Sequence, residues 1–371
     1  MDINAAAPND YDQRPFLAIW EITQACDLAC KHCRAAAQPL RNPGELTTGE
    51  GKRLIDQVAE MQVPIFVFTG GDPIKRPDVY DLVSYARSCG VHPALTPSAT
   101  PLLTRDAILR FKEAGLARLA VSLDGSRPEI HDAVRGVAGT YARTLDAVRW
   151  ANEAGLPIQV HTTVSRHNAG DLDRLAQMLS GWQIVMWSVF FLVPLGRGKM
   201  EDLLSGAEFE EIFAKLYALS QRVPFQIKTT EGMHYRRYLL QRNAAAKRSA
   251  AAAPAHPGGA SKAIGWATKR VNDGRGFVFI SHEGNVYPSG FLPLSGGNVR
   301  EHRLSDIYCG SPLFRQLRDL TKLKGKCGAC EFKHICGGSR ARAYAVTGDL
   351  LAEEPCCIYQ PANYRPVEAA A

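Results

Sequence analysis

Between Phe16 and Gly196, short apolar runs rich in Val, Ile and Phe alternate with stretches of helical spacing, giving six strand–helix units. The runs are FLAIWEIT (16–23), PIFVFTGGDP (64–73), HPALTPSAT (92–100), LARLAVSLDG (116–125), LPIQVHTTVS (156–165) and IVMWSVFFLVPLG (184–196). The helical stretches are 47–62, opened by an N-cap threonine, 76–90, closed by Gly90, and 104–115, 140–155 and 171–182. No other feature restricts the fold as much. The alternation predicts an α/β chain with a parallel sheet and outer helices. Six units fall short of the eightfold barrel, so the expectation is a partial (β/α)6 TIM-like barrel. In such barrels chemistry sits at the C-terminal ends of the strands. Cys26, Gly70–Asp72, Thr96–Ser98, Ser122–Asp124 and His161 all fall there.

The first strand runs into ITQACDLACKHC (22–33), which spaces Cys26, Cys30 and Cys33 as C-x3-C-x2-C. The N-terminus has no basic start followed by an apolar run, so no signal peptide is read there. No run of 18 apolar residues exists. A cytoplasmic location without a membrane partner is expected, where thiols stay reduced. Ten cysteines in that setting point to metal or redox chemistry. Three thiolates cannot close a four-coordinate zinc site. They can hold three irons of a [4Fe–4S] cube and leave the fourth open, which suits a cluster that binds a substrate and passes it one electron. His32 sits inside the loop, as able to face solvent or substrate as metal. The net charge, 44 − 37 = +7, comes from scattered Lys and Arg without a basic run. That argues against a nucleic-acid partner and suits a basic cleft for an anionic substrate.

C-x3-C-x2-C directly after a first strand, with TGGDP after a second, resembles the radical S-adenosylmethionine (radical SAM) superfamily. The resemblance implies that Cys26, Cys30 and Cys33 ligate the cluster, with S-adenosylmethionine chelating the open iron. One electron then cleaves the sulfonium to a 5′-deoxyadenosyl radical, which abstracts a substrate hydrogen. Gly70, Gly71 and Asp72 match the family's Gly-Gly-Glu turn, with Asp in place of Glu, and their backbone is implied to receive the methionine amino group. Ser122 and Arg135 resemble the positions that meet the methionine carboxylate, with Arg143 as a rival; either is as readily a plain fold residue. Thr96 and Ser98 are implied for the ribose and His161 for the adenosyl side.

Toward the other end, residues 243–262 are rich in Ala, Pro, Gly and Ser, read as a flexible linker or as a short helix through the alanines. Residues 274–294 turn like a hairpin around Glu283–Gly284, and 311–325 reads as an amphipathic helix. Then Cys327-x2-Cys330-x5-Cys336-x20-Cys357 follows, four thiols suited to a closed [4Fe–4S] site or to tetrahedral zinc. This stretch resembles the SPASM-type extension of radical SAM enzymes, which usually carries seven cysteines for two clusters. Ser289 and Ser339 stand where cysteines are often found, so one auxiliary [4Fe–4S] cluster is expected. Cys356 is an alternative to Cys357, and Cys89 and Cys309 read as ordinary thiols. The expected division is an N-terminal extension (1–15), a barrel (16–225), a connector (226–272), a small SPASM/twitch-like iron–sulfur domain (273–361) and a tail (362–371).

VYPSGFLPLSGGNVRE, SPLFRQLRDL and GGSRARAYAVTGDLLAEEPCC resemble the superfamily's heme-biosynthesis branch, and the likeness spans roughly residues 14 to 361. It implies hydrogen abstraction from a tetrapyrrole side chain, leading to its oxidative modification or decarboxylation, with a flavodoxin or ferredoxin as electron donor. Arg340, Arg342 and Arg197 are candidates to hold propionates, or else structural ion-pair residues. Maturation of a ribosomal peptide is the alternative, disfavoured because the segment before Phe16 has no room for a leader-binding domain. A non-enzymatic iron–sulfur or zinc regulatory module is the third.

Overall fold

The computed structural model describes residues 11–251 and 271–365. Seven parallel strands pair in chain order: β1 (Leu17–Glu21), β2 (Ile65–Thr69), β3 (Pro93–Leu95), β4 (Arg118–Ser122), β5 (Ile158–Val164), β6 (Met186–Phe191) and β7 (Gln226–Thr230). On its other edge β1 pairs in parallel with β8 (Phe277–Ile280) rather than with β7, so the barrel stays open. Antiparallel β9 (Asn285–Tyr287) and β10 (Gly297–Asn298) complete one ten-stranded sheet.

Two expected boundaries move. The sequence places the end of the barrel at 225, yet QIKTT adds in parallel to β6. That strand is short and half polar, and only its pairing identifies it. The hairpin at Glu283–Gly284 forms as expected, but its first strand continues the barrel sheet.

Helices cover the outer face. They are α1 (Thr48–Glu60), α2 (Val79–Ser88), α3 (Arg105–Glu113), α4 (Pro128–Arg135), α5 (Thr140–Glu153), α6 (Leu172–Ser180), α7 (Gly206–Ser220) and α8 (Tyr235–Ala251). Thr47 and Glu50 form a capping box that starts α1. Under the helices the strands bury Trp20, Phe66, Phe68, Val121, Val160 and Trp187. Each such side chain contributes about 1.5–3 kcal/mol of transfer free energy. Trp20 packs so closely on α1 that a Cβ at Gly51 would meet it at 2.5 Å.

α4 is absent from the periodicity because it is short and starts at a proline. Of the two readings of the alanine-rich stretch, 243–251 takes the helical one and continues α8 rather than forming a linker; 252–262 lies outside the described residues. The single helix expected at 311–325 is broken: α9 (Leu304–Gly310) precedes α10 (Pro312–Arg318), and α11 (Gly325–Ala329) follows a turn capped by Asp319. Gly325, at φ +53°, makes the second break. α12 (Arg340–Thr347) closes the C-terminal region.

Candidate active site

The cysteine loop is clamped from three sides at the C-terminal ends of the strands. First, the glycine turn after β2 lies against its backbone. Gly71 N–H donates to Thr23 O (2.8 Å) and Asp72 N–H to Ala25 O (2.6 Å). A Cβ on Gly71 would come within 2.5 Å of Gln24 O and 2.6 Å of Ala25 O. Gly71→Ala is therefore expected to force turn and loop apart, at about 1–3 kcal/mol, read from chemical denaturation of the variant beside the wild type.

Second, the end of α4 docks on the loop. Ala29 N–H donates to Arg135 O (3.2 Å) and Lys31 N–H to Val134 O (2.9 Å). Gly136, at φ +73°, ends the helix where a Cβ would strike Ala29 O at 2.5 Å. Third, the segment after β6 reaches back. Arg197 donates from its backbone to Cys33 O (3.0 Å) and from Nε to Cys30 O (2.8 Å). Arg197 thus holds the loop and is not the free propionate ligand considered from sequence. Glu21, buried at the end of β1, ties the loop to the C-terminal region: it pairs with Arg34 (2.9 Å) and His282 (3.1 Å).

The three thiols gather at one place, Cys26 and Cys30 buried and Cys33 half-buried. Cys26 Sγ accepts from Leu28 N–H (3.3 Å), Cys33 Sγ from Ala37 N–H (3.5 Å) and Cys30 Sγ from Arg135 Nη1 (3.7 Å). N–H donors aimed at sulfur are what ligated thiolates of a cluster need.

Several predicted residues turn out to brace one another. Asp72 is fully buried; Oδ1 accepts from Ile74 N–H (3.2 Å) and Ser98 N–H (3.4 Å), and Oδ2 from Thr100 Oγ1 (2.7 Å). Burial pushes its carboxyl up to about 6 despite these bonds. Ser98 Oγ donates to Gly71 O (2.7 Å) and lies 3.4 Å from Cys26 Sγ, so it locks the β3 loop to the turn. Thr96 follows β3, held by Phe68 O (2.9 Å). Arg135 Nη2 pairs with Asp124 Oδ2 at 2.5 Å, while its Nε is buried without a partner. Burial alone would raise Asp124, but Arg135 and then His32 hold it low. His32 points at Asp124 (4.0 Å), and burial drops it to about 4. Arg143, on α5, buries an unpartnered Nη1. Ser122 and His161 stand side by side across β4 and β5.

The second thiol group lines one small cavity, with Cys327, Cys330, Cys336 and Cys357 in its wall. Cys356 faces away, its thiol bonded to Leu204 O (3.6 Å) within the main core. Burial pushes Cys336 up to about 12 and Cys357 to about 11, so these thiols need a cationic centre to ionise. Cys327 Sγ accepts from Glu354 N–H (3.3 Å) and Cys336 Sγ from Gly338 N–H (3.4 Å), and Arg340 Nη2 lies 3.7 Å from Cys327 Sγ. Four converging thiols with amide donors fit an iron–sulfur cluster. Ser289 and Ser339 serve the fold: Ser339 caps α12 and donates to Glu231, and Ser289 Oγ accepts from Phe291 N–H (3.2 Å).

The propionate roles considered for Arg340 and Arg342 are not supported. Arg342 is fully buried and bonded to Glu354 and to Leu192 O (3.2 Å). Arg340 donates to Leu350 O (3.2 Å) and Ala352 O (2.6 Å). Sequence reasoning also misses His234, buried at the cavity beside Glu354 and the Cys356 backbone. Only its place after β7 reveals it.

Residues 20–179 match the radical SAM superfamily model, and residues 272–331 match SPASM, an iron–sulfur cluster-binding domain. The chain belongs to the radical SAM superfamily. It is an enzyme of that class, with a [4Fe–4S] cluster, S-adenosylmethionine and an auxiliary iron–sulfur centre as its cofactors. Within the superfamily it is 41% identical to the AdoMet-dependent heme synthase of Methanosarcina barkeri, over 94% of this chain and 97% of that protein. To the AdoMet-dependent heme synthase of Nitratidesulfovibrio vulgaris it is 39% identical, over 94% of both. A PqqA peptide cyclase of Rhodopseudomonas palustris is 29% identical, over 96% of this chain and 90% of that protein. Among solved structures, Streptococcus suis SuiB bound to S-adenosylmethionine matches with a TM-score of 0.72 at 16% identity, covering 94% of this chain and 78% of that one, which shows the shared fold. No helix among the described residues is long and apolar enough to cross a membrane.

Proposed function

We propose that this enzyme oxidatively decarboxylates propionate side chains of an iron-bound tetrapyrrole. The observation that carries the reading is the near-40% identity to AdoMet-dependent heme synthases over almost the whole of both chains. Cys26, Cys30 and Cys33 would hold the cluster that binds S-adenosylmethionine, and Cys327, Cys330, Cys336 and Cys357 the auxiliary one. When bound, these groups supply one-electron cleavage of the sulfonium and an electron acceptor near the substrate. Converting one propionate to a vinyl group removes a hydrogen atom, carbon dioxide and one electron, so both supplies are needed.

The chain's own part is positioning. Arg135, Arg197 and the glycine turn fix the cysteine loop, and Ser98 and Asp72 fix the loop after β3 against it. Ser122 and His161, side by side across β4 and β5, would meet S-adenosylmethionine. Burial pushes His161 down to about 3, so it acts as a neutral imidazole.

The test is anaerobic reconstitution with iron and sulfide, then dithionite, S-adenosylmethionine and iron-coproporphyrin III. About eight irons per chain, release of 5′-deoxyadenosine and loss of carbon dioxide from the porphyrin are expected. Cleavage of S-adenosylmethionine without any change in the porphyrin would sink the tetrapyrrole reading. It would favour a peptide substrate, as the likeness to PqqA peptide cyclases suggests.

A further inference from the structure

One arginine reaches a sulfur in each thiol group, and the two differ in what balances them. At the first group Arg135 Nη1 lies 3.7 Å from Cys30 Sγ, and its Nη2 pairs with the buried Asp124 at 2.5 Å. That carboxylate offsets the guanidinium charge beside Cys30. At the second group Arg340 Nη2 lies 3.7 Å from Cys327 Sγ. The rest of its guanidinium meets neutral atoms. Nη1 donates to Leu350 O (3.2 Å) and Ala352 O (2.6 Å), and Nε is buried without a partner. No carboxylate among the described residues forms an ion pair with it. Glu354 is given to Arg342, and Asp273 takes the backbone N–H of Arg340 (2.9 Å) rather than its side chain.

The local chain is shaped for this contact. Arg340 opens α12, one residue after the N-cap Ser339, and its side chain is fully buried. Gly338 stands at φ +65°, and a Cβ there would strike Arg340 Nη2 and come within 3.3 Å of Cys327 Sγ. The turn before α12 thus leaves the space in which guanidinium and sulfur meet. A guanidinium stays charged when buried, and burial away from an anion is costly. The anion that fits here is a cube held by four thiolates, whose negative charge grows by one on reduction. Net charge and hydrogen bonds to the sulfurs are two of the levers on a cluster's potential. A fixed cation that also donates to a ligand sulfur acts through both, and it favours the reduced state.

We propose that Arg340 is the counter-charge of the auxiliary centre: its guanidinium, aimed at Cys327, raises the centre's reduction potential and so fits it to take up one electron. The proposal rests on the four C-terminal thiols holding that centre and does not depend on which substrate the enzyme takes. A merely structural arginine at this place would change stability and leave the potential alone.

The test is an anaerobic redox titration of the reconstituted full chain, followed by electron paramagnetic resonance. Added S-adenosylmethionine alters the signal of the cluster with the open iron and marks the other as the auxiliary one. Arg340→Met is expected to weaken reduction of the auxiliary cluster about tenfold or more, a fall of about 59 mV in its one-electron midpoint, and to leave the other midpoint in place. Arg340→Lys, which keeps the charge, is expected to recover most of the shift. If Arg340→Met does not load about eight irons, Arg340→Gln, which keeps an N–H for the two carbonyls, takes its place with the same expectation. An unchanged auxiliary midpoint, or equal shifts in both clusters, overturns the proposal. So does loss of the auxiliary iron in all three variants alike, which would make Arg340 a fold residue. A wild type with only about four irons overturns the assignment of the four thiols and the proposal with it. No porphyrin is present in the titration, so the tetrapyrrole reading stands or falls separately.

Discussion

Cys30→Ala is expected to leave about four irons per chain, against about eight in the wild type, and to reduce 5′-deoxyadenosine release to background. The site has no substitute for this thiol. Cys26 and Cys33 alone cannot hold a cube with one open corner, and His32 is turned to Asp124, 4.0 Å away. Arg135 makes the experiment sharper. Its guanidinium lies between Cys30 Sγ (3.7 Å) and Asp124 (2.5 Å), so the variant keeps the Asp124 ion pair and the docking of α4. Loss of activity with an unchanged denaturation midpoint would assign Cys30 to the cluster. Full iron loading together with normal S-adenosylmethionine cleavage would remove the triad from the mechanism.

The second large effect lies at the seam between the barrel and the C-terminal region. Glu354 is fully buried and accepts from Arg342 Nε (2.8 Å) and Nη2 (3.1 Å), Ser339 N–H (2.8 Å) and Cys356 N–H (3.1 Å). Burial alone would raise its carboxyl, but Arg342 and then His234 pull it to about 2. Arg342 in turn reaches the backbone oxygens of Leu192, after β6, and Glu231, after β7. Glu354→Ala strands a buried guanidinium and two amides. The expected cost is about 3–5 kcal/mol. The backbone of residue 354 lies against the cysteine site, its N–H donating to Cys327 Sγ, so loosening the seam is expected to release the auxiliary iron while iron at Cys26, Cys30 and Cys33 stays. Iron counting beside urea denaturation reads both effects. A variant as stable as the wild type with its full iron would show that Glu354 does not hold the seam.

Much of this was legible in the chain. Apolar runs alternating with helical stretches specify a parallel sheet, since each strand can bury its apolar residues only under helices on the outer side. C-x3-C-x2-C and TGGD needed no tertiary information, because each is local: a loop of thiols, and a turn where only glycine permits close approach. The spacing of Cys327, Cys330 and Cys336 was equally local. Residues that work through distant partners were not legible. Arg342 and Arg197 look like ligands in sequence, but Arg342 is spent on Glu354, and Arg197 gives its Nε to the carbonyl of Cys30 and so holds the cysteine loop. That Ser98 braces Gly71 could not be read from sequence, since the two lie on different loops.

What the sequence determined by itself was therefore the barrel class, the three-thiol loop and the presence of a second thiol group, all set by short-range periodicity and spacing. The tertiary structure alone decided three further things. β7 joined the sheet through its bonds to β6, although its own residues carry no strand signal. Cys357 rather than Cys356 faced the cavity, because a turn closed by Cys357 N–H to Glu354 O (3.2 Å) sends the two side chains to different sides, Cys356 to the core at Leu204. Lys228 came to stand in one row with Ser122, His161 and Ser188, since register across four parallel strands brings together residues far apart in the chain.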